Sequence, residues 1–387
     1  MKKIVSLVLV AFSLAAIAGC TSSSQAQQAS FHTSEDYYNY IQPTFDDYLD
    51  VTGNWLEENR AFISEDHETE LAMNIPFQKG DPNSDKAILL VHGLGDSPFS
   101  FWDVSDSLVK QGFYVQVLLL PGHGSNPQHM ASVQYSDWQL MVDHYAELLK
   151  TTHEEVWLGG FSTGGNLVSI HALDYKDVNG LILFSPGFQT VTPMLEKLTP
   201  FVALFTDGWT APEDNFAKYS SAPINSALAY SESAVVFRDK IKDTKLNIPT
   251  LMVASEADSI IDAEALSQYF QDKFTHPQSQ MIWYGSEDKV KGIDHTLVYS
   301  MQRDDLKIST ASHMSALFAP NNSYYGQNAQ KLICENSLRK ANTEACKQGE
   351  PVWFSAWGYT EKNKIYARLT WNPYFEELES VMETITQ

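Results

Sequence analysis

Near the middle of the chain, Gly160-Phe161-Ser162-Thr163-Gly164 has the residue types and spacing that nucleophilic catalysis needs. A serine hydroxyl attacks a carbonyl effectively when it is lifted out of regular backbone, and G-x-S-x-G places it on a strained strand-to-helix turn. Glycine on both sides removes Cβ atoms that would collide with neighbouring backbone. A helix starting at the serine points its N-terminal N–H groups and positive dipole end at a developing oxyanion. The motif alone is weak, and a tight turn with a bystander serine is its structural alternative. Its setting strengthens it: residues 155–159 read as a strand, and a helix is predicted from about Gly164.

A second cluster, His92-Gly93-Leu94-Gly95, follows the apolar run Ala87 to Val91. With Ser162 as nucleophile, the backbone N–H groups of Leu94 and Thr163 would receive the oxyanion. His92 reads as a structural residue that holds this loop through a side-chain hydrogen bond. His123, His129, His153 and His171 read as loop or surface residues.

These turns need a frame. From Lys86 onward, short apolar runs alternate with helical segments. Strands are predicted over 87–91, 113–120, 155–159, 178–184 and 248–253, with helices near 98–111, 137–152 and from 164. Continuous apolar strands separated by helices indicate a mostly parallel sheet covered on both faces, an α/β architecture. Residues 186–245 interrupt the rhythm with Pro, Phe and Trp and read as a cap over the carboxyl edge of the sheet, where such folds bind ligands. Upstream, an aromatic-rich amphipathic stretch from Tyr37 to Phe62 predicts a helical extension over residues 35–85, ahead of a main domain over 86–387.

His92-Gly93-Leu94-Gly95, Pro121-Gly122-His123-Gly124, Asp137-Trp138 and Gly160 to Gly165 together resemble the α/β-hydrolase superfamily. Within it the likeness is to bacterial carboxylesterases and to enzymes of the monoacylglycerol lipase or lysophospholipase kind. It covers about residues 86–320, and Leu369-Thr370-Trp371-Asn372-Pro373 with the following helix looks like the terminal element. The resemblance implies acyl-ester hydrolysis by a Ser-His-Asp triad through an acyl-enzyme, on a small-molecule substrate and without metal or organic cofactor. An aminopeptidase or amidase on the same fold, and a non-catalytic binding protein, are the alternatives.

The resemblance places the acid after the strand that ends near Ala254. Asp258 stands at that position, with Glu256 and Asp262 as fallbacks. The histidine has two candidates. His295 has the separation from Asp258 more usual in compact hydrolases. His313 follows Leu306 to Thr310, an alternating run read as a strand, and its small neighbours let a loop approach the serine closely. His313 is favoured, because the base must leave a strand end and reach the serine oxygen.

The N-terminus reads as an address. Lys2 and Lys3 precede an apolar stretch from Ile4 to Ala18, a signal-peptide core over residues 1–19. Ile17-Ala18-Gly19-Cys20 resembles the bacterial lipobox, which implies cleavage before Cys20 and its lipidation. Thr21 follows where inner-membrane retention usually shows Asp, so the implied location is the outer membrane, facing the periplasm. The small polar residues that follow give a tether over 20–34. In an exported protein the remaining cysteines, Cys334 and Cys346, form an even pair, and a disulfide is expected there. A formal charge of −22 excludes the basic surface that nucleic acid requires. Acyl-chain length and oligomeric state stay open.

Overall fold

A computed structural model describes residues 37–387, so the signal peptide, Cys20 and the whole tether lie outside the described residues. In chain order the first elements are α1 (Phe45–Asn59), α2 (His67–Ala72), β1 (Phe77–Lys79), β2 (Lys86–Val91), α3 (Trp102–Lys110), β3 (Tyr114–Leu118), α4 (Tyr135–Lys150), β4 (Glu155–Phe161), α5 (Thr163–Tyr175) and β5 (Gly180–Phe184). The insertion holds α6 (Pro193–Val202), β6 (Gly208–Trp209), β7 (Ala222–Pro223) and α7 (Ile224–Ile241). Then follow β8 (Thr250–Ser255), α8 (Ala263–Lys273), β9 (Gln280–Tyr284), β10 (Thr296–Tyr299), α9 (Lys340–Lys347), β11 (Trp353–Ser355), β12 (Tyr366–Arg368) and α10 (Phe375–Ile385).

Eight strands form one sheet in the order β1-β3-β2-β4-β5-β8-β9-β10, parallel throughout except for β1, which runs antiparallel to β3. The inner strands carry long apolar runs because both faces are covered, and alternate residues serve different cores. Ala87, Leu89 and Val91 of β2, Val156 and Leu158 of β4, and Leu181 and Leu183 of β5 join one buried cluster with Trp138, Met141, Tyr145, Phe237 and Phe270. Ile88 and Leu90, Trp157 and Phe161, and Ile182 and Phe184 face the other, with Val104, Leu108, Leu378 and Met382. The helix after β2 therefore lies on one face and the helix after β4 on the other. Adjacent parallel strands whose connections part in this way open a crevice at their carboxyl ends. Ser162 and Leu94 both sit there.

Three sequence expectations need correction. Residues 37–44 are not helical: Pro43 disfavours helix before it, and α1 starts at Phe45 behind the N-cap Thr44. Aromatic residues of α1 and of the segment before it brace the loop after β3. Tyr48 Oη donates to Leu119 O (3.2 Å) and accepts from Leu119 N–H (2.9 Å), while Gly122 N–H donates to Tyr37 Oη (2.9 Å). Residues 306–310 are not a strand but a turn with left-handed Lys307 (φ 55°), from which Ile308 makes only isolated bridges. Of the histidines read as loop or surface residues, His123, His153 and His171 are buried and His129 is partly so.

The stretch from β10 to α10 adds a lobe in which Cys334 and Cys346 are disulfide-bonded, with a Cα–Cα distance of 5.6 Å. Among the described residues, no helix is long and apolar enough to cross a membrane.

Candidate active site

Ser162 joins β4 to α5 with φ 52° and ψ −115°, a conformation that costs a non-glycine residue about 1–3 kcal/mol. Its neighbours hold it there. Ser162 N–H donates to Phe184 O (3.0 Å), and the Ser162 carbonyl accepts from Gly165 N–H (3.0 Å) and Gly187 N–H (2.8 Å). The glycines are steric necessities. A Cβ on Gly160 would penetrate the Gly164 peptide, and one on Gly164 would penetrate the Val91 carbonyl. A Cβ on Gly93 would lie 3.1 Å from the Ser162 Cβ, so the loop after β2 passes directly against the serine.

That loop is pinned by two buried imidazoles. His92 Nε2 accepts from Leu120 N–H (3.0 Å), so its Nδ1 carries the proton and donates to Gly93 O (2.8 Å). His123 Nε2 accepts from Gly95 N–H (3.0 Å), and its Nδ1 faces the carbonyls of Leu120 and Pro121 (both 3.2 Å). Burial lowers the His92 pKa to about 4. Burial, and then the neighbouring His92, lower that of His123 to about 3, so both are neutral holders rather than bases. The role of His123 escaped the sequence reading. Its signal was the turn Pro121-Gly122-His123-Gly124 at the end of β3, the strand beside β2. The cap is tied to the same loop through Tyr219 N–H to Gly95 O (2.7 Å) and Lys218 Nζ to Asp96 Oδ1 (2.7 Å).

Asp258 follows β8 and is buried. Its Oδ1 accepts from Ile260 N–H (2.8 Å) and Ile261 N–H (2.9 Å), which leaves Oδ2 to accept from His313 Nδ1 at 2.6 Å. This bond sets the tautomer and presents Nε2 as a proton acceptor. The His313 ring packs 4.9 Å, centroid to centroid, from Phe161, the residue before the serine. Ser255 Oγ donates to Ser312 O (3.2 Å) and ties the histidine loop to the strand that carries the acid.

The other candidates are not brought here. His295 is exposed, and its carbonyl accepts from Met281 N–H (2.9 Å), level with the amino end of β9. In a parallel sheet that is the edge opposite to Ser162, so its reading as an alternative base is corrected. Glu256 accepts from Ser286 N–H (2.5 Å) and Ser286 Oγ (2.7 Å), and Asp262 caps α8 through Ala265 N–H (3.0 Å). Thr163 opens α5, so its N–H has no acceptor within the helix, and Leu94 lies three residues beyond the end of β2 in the crevice. A cavity of about 480 Å³ adjoins the Lys218 side of the loop, between the cap and the disulfide lobe, lined by Trp209, Lys218, Tyr219, Lys331, Lys347 and Arg368 among others.

A protein-family model described as serine aminopeptidase, S33, matches residues 82–242, the segment that holds both turns and most of the cap. The match agrees with the sheet order and the strained serine. The chain has the α/β-hydrolase fold. It is 23% identical over 184 residues to a thermostable monoacylglycerol lipase of Bacillus sp. (strain H-257), covering 46% of this chain and 73% of that protein. It is 22% identical over 233 residues to a carboxylesterase of Bacillus subtilis (strain 168), covering 56% of this chain and 91% of that protein. Among solved structures, one described with the metagenome-derived lipolytic enzymes LipS and LipT aligns at a TM-score of 0.49 and 18% identity, over 54% of this chain and 86% of that chain.

Proposed function

We propose that this hydrolase cleaves carboxylic acyl esters, with Ser162 as nucleophile, His313 as base, Asp258 as the acid that orients it, and the Leu94 and Thr163 amides as the oxyanion hole. The observation that carries the reading is the 2.6 Å contact between Asp258 Oδ2 and His313 Nδ1 at the crevice where the strained Ser162 turn lies. Ser162 Oγ attacks the ester carbonyl as its proton passes to His313 Nε2. The tetrahedral oxyanion is held by the two amides, and the imidazolium then protonates the departing alkoxide. Water, deprotonated by the same imidazole, attacks the acyl-enzyme, and the proton returns to Ser162 as the acid leaves. Neither half-reaction calls on a metal or organic cofactor.

The relatives named monoacylglycerol lipase and carboxylesterase favour a single-chain acyl ester as substrate. The apolar cap supports a lipid environment. Phe201 (61% exposed), Leu204 (74%), Phe205 (76%) and Trp209 (69%) turn outward together, a concentration unusual on a free surface. With the lipobox-like Cys20, this supports an enzyme anchored in the bacterial envelope, on the periplasmic side of the outer membrane. Loss of membrane fractionation in Cys20→Ala tests the anchor.

Fluorophosphonate labelling with a p-nitrophenyl acyl ester assay tests the chemistry. Wild type and His295→Ala should label and turn over, whereas Ser162→Ala should do neither and His313→Ala should be severely impaired. Equal labelling of Ser162→Ala overturns the assignment. Because the matching family model carries an aminopeptidase description, aminoacyl amides belong in the same assay. Faster turnover of the amides would replace the ester reading.

A further inference from the structure

The far end of α5 holds a cluster unrelated to the serine at its start. His171 is fully buried, and its Nδ1 lies 2.8 Å from Asp143 Oδ1. Its Nε2 has no hydrogen-bond partner and faces Glu147 Oε1 at 3.7 Å. Asp143 and Glu147 are four residues apart on α4 and so share one face. Lys176, in the left-handed conformation (φ 56°), closes α5 just before Asp177. One donor atom each from Glu147, His171 and Asp177 lies within 4.8 Å of the others.

The chemistry of this donor set is specific. With Nδ1–H given to Asp143, the Nε2 lone pair of the buried imidazole faces the Glu147 carboxylate, whose side chain is 43% exposed. Glu147 Oε1 already takes Lys150 Nζ, but the buried Nε2 is left without a partner, which a cation beside it relieves. Tetrahedral zinc, with bonds of about 2.0–2.2 Å, sets its ligands roughly 3.3–3.6 Å apart, close to the 3.7 Å between His171 Nε2 and Glu147 Oε1. A carboxylate on the distal imidazole nitrogen is the usual second partner of a metal-bound histidine. We propose that Glu147, His171 and Asp177 bind a divalent cation of the zinc class, with Asp143 orienting the imidazole.

Lys150 is the resident competitor. Its ammonium contacts Glu147 Oε1 (2.9 Å) and Asp177 Oδ2, and the metal displaces it. Exposed Asp177 provides the entrance and leaves a fourth position for water. The metal joins α4, α5 and the following turn, so its effect is on stability and not on the ester chemistry at the other end of the helix.

The test strips the full chain with chelator and titrates zinc against a chromophoric competitor, with melting curves in zinc, magnesium and calcium. Wild type should take up one equivalent of zinc that is absent from His171→Gln and from Asp177→Asn. The second variant changes an exposed side chain and guards against misfolding of the first. Zinc should raise the Tm, and the oxygen-preferring magnesium and calcium should not. Asp143→Asn should weaken binding by about 10–100-fold. Lys150→Met should tighten it. Equal uptake by wild type and Asp177→Asn, or no uptake by wild type, overturns the proposal and leaves a salt-bridge network.

Discussion

Around Ser162 each approach is closed by backbone: the glycines on either side have no room for a methyl group, and two imidazoles pin the loop that passes the serine. In the cap, the stretch from Met194 to Trp209 points large apolar side chains into solvent. Within the insertion it is held by Glu196, whose carboxylate meets Arg238 of α7 at 2.5 Å, and by the short β6–β7 pairing. The difference separates two tasks. Groups that stabilise developing charge must be in place before the substrate arrives, so they are over-determined. A surface that meets greasy substrate needs only to be apolar and can be held by few contacts. Substitutions at the sheet edge should therefore cost far more than substitutions in the cap, and the predictions below are ordered on that scale.

The largest effect is expected at the acid. Asp258→Asn keeps the shape but lets His313 take the wrong tautomer, and kcat should fall by roughly 10⁴-fold with little change in stability. Steady-state kinetics beside a melting curve checks this. A loss under tenfold would mean that the 2.6 Å contact is merely structural. Next is Gly164→Ala. Its methyl must displace the Val91 carbonyl and with it the strand that leads to Leu94, so at least about 3 kcal/mol should be lost, read by chemical denaturation or by failure to accumulate soluble protein.

His92→Ala and His123→Ala remove one holder each and leave a buried N–H, of Leu120 or Gly95, without its acceptor. Each should cost about 1–3 kcal/mol. For His123 the activity should fall more than the Tm accounts for, because Gly95 adjoins the Leu94 amide. The same pair predicts acid lability. Both imidazoles stay neutral in the folded state down to about pH 4 and 3, whereas the unfolded chain protonates them below the ordinary 6.5. The unfolded state binds more protons in that window, so stability drops as pH falls from about 6.5 toward 4, by about 1.4 kcal/mol per pH unit for each imidazole. Unfolding free energies from pH 7 to 4.5 should show a slope that becomes shallower in His92→Gln. An unchanged slope would assign the acid loss to other groups.

The same contrast explains what the sequence made legible. Inner strands such as β2, β4 and β5 announce themselves because burial on both faces forces continuous apolar runs, and the serine turn because its glycines have no substitute. Edge strands carry no such signal. β1 is partly exposed at all of its residues, and β10 is nowhere fully buried, so neither stood out. The histidines were the hardest to read. A buried neutral imidazole looks, in sequence, like a surface one, and only the loop carbonyls and amides around His92 and His123 distinguish them. His313 was legible through its small neighbours rather than through a strand, since the expected strand before it is a turn.

The smallest effect completes the scale. In Leu204→Ser/Phe205→Ser, two side chains that are about three-quarters exposed become polar, and little buried area changes, so the Tm should move by no more than about 0.5 kcal/mol of stability allows. Turnover of a short water-soluble ester should be unchanged. Turnover of a monoacylglycerol presented in phospholipid vesicles should fall, because those residues would supply the apolar contact with the interface. If both substrates slow equally, the cap shapes the acyl site instead of meeting the lipid. If the Tm collapses, the residues are packed against something in solution, and the cap is as tightly specified as the sheet edge.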